Sequence, residues 1–166
     1  MQEIKYFAGL ESVLEQLPRG AFLTVDDGTE KNTMTIGWGN IGYVWNLPIF
    51  EVLVRESRHT YKLINRADEF TVSVPLQNQL EEELSYCGSR SGRDVDKFKE
   101  LDLETSPGQK LNTPFISGCD IFYECDIVYS QKMNRSDLKE EIKENNYPDS
   151  DYHTIYYGEI KGVYKN

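Results

Sequence analysis

Arg55, Ser57, Arg58 and Thr60 fall together in the stretch VRESRHTY, residues 54–61, of a chain that is otherwise acidic. Two guanidinium groups and two hydroxyls beside the expected start of a helix are groups that bind an anion. Arginine supplies paired, charge-assisted bonds, and free backbone N–H groups at the helix start add donors. A plainer use fits the same residues, in which the arginines pair with neighbouring carboxylates. A second group, SRSGRDVDKF (89–98), repeats the theme, with Ser89, Ser91 and Gly92 ahead of a helical segment and Arg93 and Lys97 close by. A capped helix with a solvated basic flank would read the same way. Two such clusters in one acidic chain favour a phosphate-like ligand.

The stretch NTMTIGWGNIGYVWNLPIFEVLV (32–54) carries one formal charge, Glu51, and holds both tryptophans, Trp38 and Trp45. Thr33, Thr35 and Gly37, followed by Trp38 and Gly39, offer hydroxyls, backbone donors and a flat apolar wall. Those are the requirements of a large planar heterocycle that hydrogen-bonds at its edge, and glycine lets backbone approach it closely. Met34, Ile36 and Trp38 also alternate well enough to be one buried face of an ordinary strand. No Ser-His-Asp set and no paired carboxylates stand out. Cys87, Cys119 and Cys125 form no CxxC pair, and His59 and His153 lie far apart, so a zinc site is not expected.

The elements that must carry these groups follow from periodicity. Residues 8–17 (AGLESVLEQL) read as a short helix with Leu10, Val13, Leu14 and Leu17 on one face, ended by Pro18 and Gly20. Strands are expected at 21–25 and 33–38, joined as a hairpin around Asp-Gly, and at 49–54 and 70–74. Helices are expected at 59–69, 76–88, 92–101 and 135–146, and residues 102–118 read as loops around a short strand. In 119–133, Ile121, Tyr123, Cys125, Ile127 and Tyr129 alternate onto one face, and 152–164 is a last β-segment with Gly158 marking a bulge. Four to seven strands without βαβ order make a mainly β fold with peripheral helices, an antiparallel barrel and not a doubly wound sheet. No dinucleotide or P-loop glycine motif is present.

With 166 residues, 39% hydrophobic, the chain reads as one globular domain, 1–166, with a proper core. Eleven tyrosines suit strands and half-wet surfaces. A net charge of −10 argues against nucleic acid and against a polybasic membrane anchor. The acidic, amphipathic opening is unlike a signal peptide, and the apolar stretch above is too interrupted to span a bilayer, so the expected location is the cytoplasm.

Taken in order, NTMTIGWGNIGYVWNLPIFEVLVRESRHTY, FTVSVP, YCGSRSGRDVDKF and DYHTIYYGEI resemble the flavin reductase-like family, on its flavoredoxin side, from about Ala21 to Gly162. The resemblance implies the FMN-binding split β-barrel, antiparallel and Greek-key-like, and a homodimer with flavin near the subunit interface. By matched motif, Thr33 and Thr35, Ile36, Gly37 and Trp38 would line the isoalloxazine ring. Arg55, Ser57, Arg58 and Thr60 would hold the phosphate and ribityl chain. Cys87, Gly88, Ser91 and Gly92 would close over the cofactor, with Lys97 reaching its anionic end. His153 would stand where NADH, NADPH or another reductant approaches. The implied activity is that of an oxidoreductase passing electrons from NAD(P)H to flavin and on to an acceptor. A flavoredoxin-like carrier without direct NAD(P)H use, or a non-catalytic FMN-binding sensor, fits the same motifs. The chain departs from many relatives at Glu56, where proline is usual, and at His59, where an aromatic is usual.

Overall fold

The computed structural model describes residues 1–166. Ten strands and five α-helices follow in the order β1 (Gln2–Glu3), α1 (Leu10–Gln16), β2 (Ala21–Asp26), β3 (Lys31–Ile36), β4 (Gly39–Val44), β5 (Leu47–Arg55), α2 (His59–Ile64), β6 (Glu69–Val74), α3 (Glu81–Ser89), α4 (Lys97–Glu100), β7 (Thr105–Ser106), β8 (Phe115–Ile116), β9 (Ile121–Lys132), α5 (Glu140–Asn146) and β10 (His153–Lys165). The main sheet runs β3-β2-β6-β9-β10-β5-β4, antiparallel throughout, with β1 added to β10.

Strands β3 and β4 stand at opposite ends of that path, yet only Gly37 and Trp38 join them. A two-residue link spans at most about 11 Å between Cα atoms, so the sheet must roll until its ends meet there. It does not close. Strand β3 pairs with β2 alone, and β4 covers β5 only as far as Val52. The free edge of β3 therefore faces the uncovered residues Leu53–Arg55 of β5. This is a split antiparallel barrel: the strand patterns implied the barrel, and the resemblance implied its split.

The barrel interior takes one face of each strand: Ala21, Leu23 and Val25 from β2, Val72 and Val74 from β6, Ile121, Tyr123 and Cys125 from β9. The opposite face of the same strands packs a second cluster, Phe22 and Phe122 against Leu84, Cys87, Phe115 and Ile116. Each such side chain shut from water contributes roughly 1.5–3 kcal/mol. Glu124, facing this outer layer, is fully buried and accepts from the backbone N–H groups of Gln109 (2.6 Å), Lys110 (3.0 Å) and Leu111 (3.0 Å) and from the Tyr164 hydroxyl (2.6 Å). It satisfies the backbone of a loop that has no ladder partner there.

Several expectations shift. Leu14 is 42% exposed and Gln16 is buried in its place: Val13, Gln16 and Leu17, at i, i+3 and i+4, make the buried face, and Leu14 lies about 100° round from Val13. The helix expected at 59–69 ends at Ile64, where Glu69 already begins a strand. The helix expected at 92–101 is one turn, Lys97–Glu100, capped by the Asp96 carboxylate accepting from the Lys99 N–H (3.4 Å). The helix expected from 76 starts at Glu81, after Gln77, Asn78 and Leu80 take positive φ. A strand, β4, was missed: it turns into β5 through Trp45 and Asn46, both at positive φ (54° and 61°). The face expected through Tyr129 breaks after Ile127. Tyr157 pairs with Tyr129 but Gly158 pairs with Ile127, so Val128 is an extra residue that sends Tyr129 outward.

Candidate functional site

Strand register brings the first two groups together. His153 pairs directly with Arg55 across β10 and β5, so both side chains leave the sheet on one face, at the open end of the split. There they join Met34, Thr35, Ile36, Gly37, Trp38, Leu53 and Arg58 around an open cleft of about 170 Å³. Trp38, in the link that turns the barrel's corner, is 45% exposed and lies 5.2 Å from the His153 ring. One wall is thus aromatic, and the other is the edge of β3, whose alternate backbone groups have no strand partner.

A second cleft of about 100 Å³ adjoins it, sharing Met34 and Arg58. Ser57, His59, Thr60, Cys87, Gly88, Ser89, Arg90, Ser91 and Arg93 complete its lining. It contains the start of α2, where backbone N–H groups are free, and three arginines. Arg58 donates to the Gly88 carbonyl (3.3 Å) and Arg93 to the Ser57 carbonyl (2.7 Å), tying the two motif segments across the cleft. His59 holds Glu30 through Nε2 at 2.6 Å, while its Nδ1 is buried without a partner. Gly92 is required where it stands, because a Cβ there would lie 2.3 Å from Asn32 Oδ1.

The sequence-chosen residues occupy different roles. Ile36, Gly37, Trp38, Arg58 and His153 line the first cleft; Ser57, Arg58, Thr60, Cys87, Gly88 and Ser91 line the second. Thr33 is fully buried in the barrel wall, its hydroxyl bonded to Thr24 and to the Leu23 carbonyl. Thr35 contributes backbone, since its hydroxyl donates to the Leu84 carbonyl at 2.6 Å. The Thr60 hydroxyl accepts from Asn32 (2.8 Å). The guanidinium of Arg55 donates to the carbonyls of Asp151 (2.8 Å) and Asn146 (2.9 Å) and lies over the Tyr147 ring, so it staples the segment before β10 to the cleft. Ser57 staples it again, donating to the Asp151 carboxylate at 2.5 Å. Lys97 is buried, its ammonium donating to the carbonyls of Thr33 and Cys87, both at 2.8 Å. Burial lowers its pKa, and Cys87 opposes that shift. Lys97 thus joins β3 to α3, behind the cleft that Cys87 and Gly88 line.

Electrostatics sort the titrating groups. Burial, then Arg55 and Arg58, hold His153 down at about 4 against the pull of Asp151, so it is a neutral imidazole at physiological pH. Burial pushes the Cys87 thiol up to about 11, which leaves it protonated. Met34, Leu53 and Tyr147 were not singled out from sequence as site residues. Met34 and Leu53 sit in apolar runs that read as core, and nothing in NNYPDS marks its tyrosine.

Comparison with known proteins agrees with this fold. The family model of the flavin reductase like domain matches residues 15–166. An uncharacterized protein of Pyrococcus abyssi is 28% identical over 116 residues, 69% of this chain, and this chain spans 64% of that relative's length. Flavoredoxin from Methanosarcina acetivorans superposes with a TM-score of 0.69 at 24% identity, covering 89% of this chain and 68% of that one. An FMN-binding protein from Thermus thermophilus gives 0.68 at 22% identity, over 88% and 69%. At these identities the structural likeness is one of fold.

Proposed function

This chain belongs to the flavin reductase-like domain family, and we propose that it binds FMN in the barrel split and passes electrons from NADH or NADPH, through that flavin, to an acceptor. The observation that carries this reading is the pair of adjoining clefts of opposite character. One is flat-walled, with Trp38, the β3 edge and a neutral His153. The other is cationic and rich in hydroxyls, and Met34 and Arg58 belong to both. A ligand with a planar ring at one end and a phosphate at the other fits them, and the buried, unpartnered Nδ1 of His59 is a polar atom left for it.

FMN, when bound, supplies hydride acceptance and onward electron transfer. The chain's part is to bind and orient. Arg58, Arg90 and Arg93, with Ser91, would take the phosphate. The backbone of Thr35–Trp38 would meet the ring edge and Trp38 its flank, and Cys87 and Gly88 would allow close approach, while Gly92 lines neither cleft. His153 would offer a hydrogen bond at the reductant's side. Lys97 would act by fixing β3 against α3. Homodimerisation, which the resemblance implies, would cover the exposed aromatic group of Trp45, Tyr129 and Tyr157.

The test is the visible spectrum of the purified protein, followed by anaerobic NADH and then NADPH. A flavin spectrum that bleaches supports the reading. One that stays unbleached favours a carrier fed by another donor, and a colourless protein that takes up no FMN overturns the site. In parallel, Arg58→Ala should weaken FMN binding about ten- to a hundredfold, the loss of one charge-assisted contact. Unchanged affinity in the folded variant would count against the phosphate position.

A further inference from the structure

Resting on the reading of the split as a flavin site, we propose that Tyr147 is a positioning residue for His153: its hydroxyl donates to Nδ1, fixes the imidazole as the Nε2–H tautomer, and so presents one permanent donor to the cleft. Tyr147, just beyond α5, is 4% exposed, and its hydroxyl lies 2.8 Å from His153 Nδ1. The one other acceptor near that hydroxyl is Met133 Sδ at 3.3 Å. A thioether is a weak acceptor and an imidazole nitrogen a strong one, so the proton goes to Nδ1. No protein group bonds Nε2, and Nε2 is not among the atoms shut off from solvent. With Nδ1 acting as acceptor, the neutral ring must carry its proton on Nε2.

The tyrosine is itself held from every side. Its ring stacks on Tyr152 at 4.9 Å, meets Trp38 edge-on at 6.5 Å, and lies under the Arg55 guanidinium at 5.0 Å. The same guanidinium bonds the carbonyls of Asn146 and Asp151, and Ser57 bonds the Asp151 carboxylate. The charged groups acting on His153 are Arg55, Arg58 and Asp151. With burial, the two arginines outweigh the carboxylate and keep the ring neutral, which is the state in which a tautomer is there to be chosen. Arg55 and Ser57 therefore serve His153 through the segment they tether.

The experiment is a long-range proton–nitrogen correlation spectrum of the ¹⁵N-labelled, flavin-free protein. The chain has 2 histidines, so His153→Gln assigns the signals. Wild type should show a pyrrole-type Nε2 and a pyridine-type Nδ1 for His153. In Tyr147→Phe, which keeps the ring and its packing, the two resonances should move toward each other as tautomers mix. That variant should bind FMN within about twofold of wild type while nicotinamide reduction slows roughly tenfold, the usual cost of losing an orienting partner. A protonated Nδ1 in wild type, or His153 resonances unmoved in Tyr147→Phe, overturns the proposal. Because the tautomer is read without flavin, failure to bind FMN would overturn the functional reading while the spectrum still decides the role of Tyr147.

Discussion

His153 shows how much a single residue's chemistry depends on what surrounds it. Unfolded, its imidazole takes up a proton below about pH 6.5; folded, burial and Arg55 delay that to about 4. Between those values the unfolded chain holds more protons, so stability falls as pH drops from about 6.5 to 4, is fully present above that window, and loses up to about 3 kcal/mol across it. Urea midpoints measured across the window should therefore show a slope that His153→Gln removes. A variant with the same slope as wild type would mean that His153 titrates normally and that its burial is misread. From sequence, His153 was one of two separated histidines, open to a packed role or a functional one. Its pairing opposite Arg55 gives it a place at the cleft, and neither residue carries any local sign of the other.

At the scale of elements, the paired strands β9 and β10 decide where the side chains point. Gly158 packs its backbone onto the core so closely that a Cβ would lie 2.5 Å from Phe70 and 2.6 Å from Cys125. Gly158→Ala should therefore destabilise the fold by roughly 1–3 kcal/mol through overpacking, read as a lowered urea midpoint with the m-value unchanged. No loss would mean that the strand relaxes freely there. The sequence showed the glycine and its bulge. It could not show that the extra residue is Val128 on the partner strand, because a bulge belongs to a pair of strands. For the same reason Tyr129, which continues the apolar alternation in sequence, faces outward beside Tyr157 at 5.3 Å. Strand β4 was illegible because Gly39 and Gly42 interrupt the alternation, and only pairing with β5 makes an extended strand of them.

Over the whole molecule, charge and apolar surface are both unevenly placed. Four arginines, Arg55, Arg58, Arg90 and Arg93, gather at the clefts of a chain with net charge −10. At contact distance each of the three that line the second cleft, Arg58, Arg90 and Arg93, offers a phosphate about 1–4 kcal/mol, whereas acidic groups beyond about 10 Å are largely screened at ordinary salt. The local arginines win, so FMN affinity should fall several-fold as salt rises while riboflavin affinity stays level. Equal salt dependence for the two ligands would remove the phosphate from the arginine cleft. On the outside, Trp45 (57% exposed) lies 5.8 Å from both Tyr129 (44% exposed) and Tyr157. If a second copy covers this face, Trp45→Glu combined with Tyr129→Glu should convert a dimer to a monomer in sedimentation; a dimer that persists places the interface elsewhere.

The sequence by itself determined an antiparallel barrel with peripheral helices and two of the segments that meet at the clefts, because strand alternation, turn residues and clustered arginines are local properties; the split of the barrel and the family came from the resemblance of its ordered motifs. It also marked the stretch 33–38 as a flat apolar wall with backbone and hydroxyl donors, and the fold then set that stretch at the barrel's corner. Only the tertiary structure decided which atoms of those segments face the opening. Hydroxyls that read as ligand donors, those of Thr33 and Thr35, are used within the barrel wall and on α3. Arg55 is largely taken up by carbonyls of residues 146 and 151, and Lys97 by those of 33 and 87. A side chain's partner is set by distances between segments far apart in the chain, and a buried donor must find one wherever the fold brings it.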